Sequence, residues 1–119
     1  MHQIGEIIKS FNYGNDEENL YFKIEFLRTL NFDDSVTLKF ISPKDFSIVI
    51  SHNSAKLESS DGSVFCSLSF AYKDFLEIAI SNKCHISNDE NNHKMIIQSD
   101  TKDGQISYPN QGNITLEVV

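Results

Sequence analysis

The stretch YGNDEENLYFKIEF, residues 13 to 26, decides the fold class. In its second half an apolar residue falls at every other position, namely Leu20, Phe22, Ile24 and Phe26. Successive side chains of a strand point to opposite faces, so this pattern predicts a β-strand with one face buried and the other in water. The preceding NDEEN favours a turn, because Asn and Asp can hydrogen-bond to their own backbone. The stretch therefore predicts a β-hairpin.

The same two-residue period recurs along the chain. It is found in IGEIIKSFNY (4–13), VTLKFI (36–41), FSIVIS (46–51), SVFCSLSFAY (63–72), FLEIAIS (75–81) and NITLEVV (113–119), while HKMIIQS (93–99) is shorter and less regular. Clusters of Asn, Asp, Ser, Gly and Pro separate these segments, and none of the segments has the 3.6-residue period of a helix. Short strands about ten residues apart predict a single all-β domain over residues 1–119. We expect an antiparallel β-sandwich of about eight short strands, immunoglobulin-like or similar to a carbohydrate-binding module.

The composition argues against several classes of partner. The formal net charge is −7 and Arg28 is the single arginine, so the surface would repel nucleic acid and anionic lipid, and we expect neither as a partner. No apolar run approaches the ~20 residues that span a bilayer, and the first ten residues lack the pattern of a secretory signal. We therefore expect a cytoplasmic protein, in which Cys66 and Cys84 stay reduced.

Residues with catalytic chemistry are present, but their spacing does not predict an active site. His2, His52, His85 and His93 are far apart, and we expect them in solvated loops. Most acidic residues lie in predicted turns, which hold carboxylate pairs poorly at the separations that glycoside hydrolysis needs. We expect no catalytic residue in this chain, which would not be an enzyme by itself.

The acidic turn offers a candidate metal site. Asn15, Asp16 and Glu18 bring oxygen ligands together, as calcium requires, but contiguous acids do not follow the spacing of an EF-hand. Two interpretations stay open, a bare solvated turn and a calcium site completed by residues from elsewhere in the chain. We expect no other cofactor.

Three segments carry a resemblance to a known family. YGNDEENLYFKIEF resembles the hairpin of the β-sandwich domain that follows the catalytic barrel in proteins related to glycoside hydrolase family 57, which are α-amylase- and α-mannosidase-type enzymes. The closing YPNQGNITLEVV is similar to the last element of that domain, and FLEIAIS resembles a segment from its middle. The resemblance implies a non-catalytic accessory domain, excised from the C-terminal part of a larger α-glucan-active enzyme. Its partner would be the catalytic domain of the same parent chain.

Tyrosines are the candidates for contact with carbohydrate. Sugar rings stack on aromatic side chains, and this chain has four tyrosines and no tryptophan. The candidates are Tyr13, Tyr21, Tyr72 and Tyr108, and packing at strand ends is the alternative for each of them. Three roles stay open: a domain that packs against the barrel, a module that holds α-glucan near it, and a free-standing domain for protein–protein interaction.

Overall fold

Ten β-strands form two antiparallel sheets in the computed structural model, which describes residues 7–42, 45–59, 68–81, 92–102, 104–109 and 112–117. In chain order the strands are β1 (Ile8–Asn15), β2 (Asn19–Phe26), β3 (Ser35–Ser42), β4 (Phe46–Ser51), β5 (Ser54–Glu58), β6 (Leu68–Tyr72), β7 (Leu76–Ser81), β8 (Asn92–Thr101), β9 (Gly104–Tyr108) and β10 (Ile114–Glu117). The predicted antiparallel β-sandwich is confirmed. None of the described segments forms a helix of the length and hydropathy that crossing a bilayer requires.

The two sheets differ in size and in the way their edges are built. The four-stranded sheet has the order β1-β2-β7-β6, so β1 and β6 are its edges. The six-stranded sheet has the order β10-β8-β3-β4-β5, and β9 also pairs with β8. One half of β8 pairs with β10 and the other half with β9, so these two short strands share one edge of the sheet. The chain crosses between the sheets after β2, β5 and β7.

The alternating apolar residues of both sheets meet in one core. On β2 the side chains of Leu20, Phe22 and Ile24 are buried, and on β3 those of Val36 and Leu38 are buried opposite them. An aromatic row crosses this core from sheet to sheet, made by Phe11, Phe22, Phe40 and Phe46 with ring centroids 5.6, 5.7 and 4.4 Å apart. The sandwich is thus held by the face that the two-residue period identified.

The structure departs from the sequence-based expectation in strand number and in one histidine. The two unforeseen strands, β5 and β9, are short edge strands with only two apolar residues each, so their period is weak. His93 was expected in a solvated loop, which is wrong, because it lies on β8 with its side chain fully buried near Phe40. Both cysteines, His2 and His85 lie outside the described residues.

Candidate functional site

The outer face of the four-stranded sheet carries a cleft of about 660 Å³ that crosses all four strands. We call it the outer cleft. This volume falls within the ~300–1,000 Å³ that is usual for sites that take small ligands. The side chains on this face alternate with the buried residues of the core, so the sandwich itself positions them. They form two rows, defined by the register of the strands.

The first row is built from small residues around a single aromatic ring. Across the sheet it reads Gly14, Tyr21, Ala79 and Ser69. The residues on both sides of Tyr21 are small, and Tyr21 is 39% exposed. The row therefore provides a flat aromatic surface in a shallow trough.

The second row is polar and carries no net formal charge. It reads Asn12, Lys23, Glu77 and Ala71. Lys23 stands directly opposite Glu77, so one positive and one negative charge share the cleft, and the Lys23 ammonium lies 4.1 Å from the centre of the Phe75 ring. Toward a hydroxyl group the ammonium donates, the carboxylate accepts, and the amide can do both. A neutral ligand rich in hydroxyls suits this lining better than an anion.

The β1–β2 turn holds the Tyr21 side chain in place. The Tyr21 hydroxyl donates to Asp16 Oδ2 at 2.8 Å, and Asn19 Nδ2 donates to the same hydroxyl at 3.2 Å. Asp16 is itself fixed, because its Oδ1 accepts from the backbone N–H groups of Glu18 and Asn19, each at 2.8 Å. The turn that was predicted from NDEEN thus also orients the only aromatic ring that stands on the outer face within the described part of this cleft.

The same hydrogen bonds bear on the calcium hypothesis. Both carboxylate oxygens of Asp16 already accept hydrogen bonds, Oδ1 from the backbone of the turn and Oδ2 from the Tyr21 hydroxyl, so a cation would share this carboxylate with those donors. The backbone N–H of Asn19, then that of Glu18, then the Tyr21 hydroxyl hold the pKa of the Asp16 carboxyl below its usual value. The described residues contain no group of three or more His, Cys, Asp or Glu arranged to hold a metal ion. A calcium site at Asn15, Asp16 and Glu18 stays a prediction.

The other three candidate tyrosines lie on the inner face of the sandwich. Tyr13 borders the outer cleft, but its hydroxyl accepts from the backbone N–H of Glu117 in the second sheet at 3.2 Å. Tyr72 donates to the Ser51 carbonyl at 2.7 Å, and Tyr108 packs against the core. The structure thus brings only Tyr13 and Tyr21 to the outer cleft, and of these Tyr21 alone points outward.

A smaller cleft of about 300 Å³ lies at one end of the sandwich. It is lined by residues of three loops or loop-proximal segments, among them Arg28, His52 and Asp74. Near it, Phe32 is 86% exposed and contacts the His52 ring in a tilted arrangement, with centroids 4.6 Å apart. His52 Nδ1 is 2.5 Å from the Leu30 carbonyl oxygen, and the Arg28 guanidinium contacts Asp34, so these two side chains make polar contacts with the loop between β2 and β3.

Sequence reasoning missed the outer cleft and most of its lining. Gly14, Ser69, Ala71 and Ala79 carry no chemistry that a sequence pattern could single out, and they converge only because β1, β2, β7 and β6 are neighbours. Strand order is set by non-local pairing, which the period of the hydrophobic residues does not reveal. Comparisons of the chain with models of protein families, with curated proteins and with solved structures find no match.

Proposed function

We propose that this domain is a non-catalytic module that holds a neutral carbohydrate chain in the outer cleft. The observation that carries the proposal is the Tyr21 ring, which borders the cleft with both neighbours small and its hydroxyl tethered to Asp16. A ring that is already oriented loses little conformational freedom when a ligand stacks on it. The polar row then supplies partners for hydroxyl groups along the edge of the sugar.

The charge of the cleft and of the chain supports a neutral ligand over an acidic one. Lys23 and Glu77 compensate each other within the cleft, while the whole chain carries a formal net charge of −7. An anionic polymer would approach against this field without finding an excess of positive charge at the site. Neutral polysaccharides are not repelled by this negative charge, and their recognition depends on stacking and hydrogen bonds.

We propose α-glucan as the carbohydrate and a glycoside hydrolase as the parent protein. This part of the proposal rests on the resemblance of residues 13–26, 75–81 and 108–119 to the accessory domain of family 57 proteins. In that setting the module would keep glucan close to a catalytic domain of the same chain and raise its effective concentration there. The same domain would pack against the catalytic barrel through surfaces other than the outer cleft.

Affinity electrophoresis in gels that contain soluble starch or glycogen tests the proposal. We expect the wild-type domain to be retarded, and Tyr21→Ala to bind at least about tenfold more weakly, since it removes the stacking surface. Phe32→Ala is the matched control, because it removes a ring that is 86% exposed outside the cleft. A gel with polygalacturonate should leave the wild type unretarded. Migration of the wild type unchanged by both starch and glycogen would contradict the proposal.

A further inference from the structure

Gly14 is a glycine that the fold does not require. It lies within β1, paired with Tyr21, and its φ is not among the positive values, which within the described residues occur only at Gly104 and Gly112. A Cβ built on Gly14 would meet no atom within 4 Å. Glycine destabilises a strand because it loses the most conformational freedom on folding. Neither backbone geometry nor packing offsets that loss at this position.

The space above Gly14 belongs to the outer cleft. Because Gly14 stands beside Tyr21 in the first row, any side chain at this position would rise next to the Tyr21 ring, at the β1 end of the trough. On the other side of Tyr21 the row continues with Ala79 and Ser69, which are also small. A glycine inside a strand often marks a place where a ligand or another backbone comes close to the main chain.

We infer that Gly14 keeps the outer cleft open for a second sugar unit, so that the site takes an extended neutral oligosaccharide lying across the strands. The inference rests on the proposed function and deepens it. Four strands at ~4.8 Å spacing give the trough a length of roughly 14 Å, which is longer than one sugar ring. One unit stacks on Tyr21 and its neighbour in the chain lies over Gly14, where only hydrogen occupies the Cβ position.

Gly14→Val separates the role of this glycine in binding from any role in folding. Valine suits an extended, exposed strand position, so we expect the melting temperature to rise by about 2 to 5 °C. By isothermal titration calorimetry the wild type should bind maltoheptaose more tightly than maltose, and Gly14→Val should bind maltoheptaose at least about tenfold more weakly. Gly14→Ala, which adds a single methyl group, should lose less affinity.

Ser47→Val is the control, because it places the same side chain on the outer face of the other sheet. It should bind maltoheptaose as the wild type does. If Tyr21→Ala loses binding while Gly14→Val keeps the affinity of the wild type, the inference is overturned and the proposed function stands. A Gly14→Val melting temperature several degrees below that of the wild type would also overturn it, since the glycine would then serve the fold. A wild type that binds no glucan removes both proposals.

Discussion

Two tyrosines, at opposite edges of the four-stranded sheet, connect the two sheets by hydrogen bonds. Tyr13 on β1 accepts a hydrogen bond from the Glu117 backbone N–H, and Tyr72 on β6 donates one to the Ser51 carbonyl. Both partners belong to the six-stranded sheet, so each hydroxyl joins an edge strand of the smaller sheet to the other layer. Tyr21 differs because its alternation places it outward, where its hydroxyl bonds within its own hairpin. The three residues are all tyrosines, so their different roles follow from whether the strand directs each side chain inward or outward.

The Tyr72 hydroxyl should stabilise the domain in a way that depends on pH. Tyr72→Phe removes a hydrogen bond to a backbone carbonyl, which should lower the free energy of unfolding by about 1 kcal/mol at pH 7. Burial raises the pKa of Tyr72 from 10.0 to about 12. Between these values the unfolded chain loses the phenol proton before the folded chain does, so the stability that this proton confers is complete below pH 10 and falls as the pH rises toward 12.

Urea unfolding of both proteins at pH 7, 10 and 11.5 checks this prediction. The stability of the wild type should fall more steeply above pH 10 than that of Tyr72→Phe, and the gap between them should narrow. Lysines and the other tyrosines titrate in both proteins, so their contributions cancel in the comparison. A gap that stays constant or widens with pH would mean that the Tyr72 hydroxyl does not stay protonated in the folded state.

At the scale of elements, one ion pair organises the connection between β2 and β3. The Asp34 side chain is 3% exposed, accepts from two nitrogens of the Arg28 guanidinium, and also accepts from the Asn31 backbone N–H at 2.8 Å. A second bond, from the Asp34 N–H to the Asn31 carbonyl, closes the turn. The single arginine of the chain thus has a structural role at the point where the chain leaves one sheet for the other.

Asp34→Asn should destabilise the domain by about 1 to 2 kcal/mol, because it weakens the charge-assisted hydrogen bonds from the Arg28 guanidinium, which is itself 43% exposed. The Arg28 guanidinium first, and then the Asn31 N–H, hold the pKa of the Asp34 carboxyl below its usual value of 3.8. The stability gained from this depressed pKa is present above pH 4 or so and is lost as the pH falls below it. Thermal melts between about pH 7 and pH 2 should therefore show a steeper acid loss for the wild type than for Asp34→Asn. Asp33→Asn, at the exposed neighbouring position, is the control and should lose stability in acid as the wild type does. If the melting temperatures of all three proteins fall equally with decreasing pH, the Arg28–Asp34 pair does not have this role.

The elements show how much of the fold the sequence could predict. Strands that lie in the middle of a sheet, such as β2 and β7, bury every second residue and were predicted from that period. β5 and β9 are paired on one side only and have few apolar residues, so the period was too weak to identify them. His93 was misplaced because histidine is polar and follows a turn-like cluster, although it opens the segment 93–99 that was itself predicted as a strand. The alternation of apolar residues identifies the buried face of a strand. Whether a strand lies at an edge depends on which strands pair with it, and the sequence pattern does not show this.

Of the candidate site, the sequence could predict the outward position of Tyr21 but not the residues that surround it. The alternation of β2 placed Tyr21 on the outward face, and the turn residues before it suggested a hairpin. The tether from Asp16 and the trough beside the ring depend on the turn conformation and on the order of four strands. These are tertiary properties, so a sequence pattern could only name the ring and leave open what surrounds it.

The aromatic row joins the two sheets, and we expect it to make them unfold as one cooperative unit. Phe22 on β2 and Phe40 on β3 face each other across the sandwich with centroids 5.7 Å apart, and Phe40 stacks in parallel on Phe46 at 4.4 Å. The row therefore ties the hairpin that carries Tyr21 and the outer cleft to the sheet on the opposite side. Loss of packing in the row should loosen both layers together, because the row lies in the core that the two sheets share.

Phe40→Ala tests this cooperativity. Phe40 is fully buried, so its truncation should lower the free energy of unfolding by about 3 to 5 kcal/mol, and Phe40→Leu, which leaves a smaller void, should cost less. Phe32→Ala removes the same ring at a position that is 86% exposed and should change stability by no more than about 0.5 kcal/mol. Urea unfolding followed by far-ultraviolet circular dichroism and by tyrosine fluorescence should give one coincident transition for each protein. Separate unfolding midpoints for the two probes would mean that the sheets are stabilised independently of the row. So would a loss of less than about 1 kcal/mol in the free energy of unfolding of Phe40→Ala. The outer cleft would then depend on the four-stranded sheet alone.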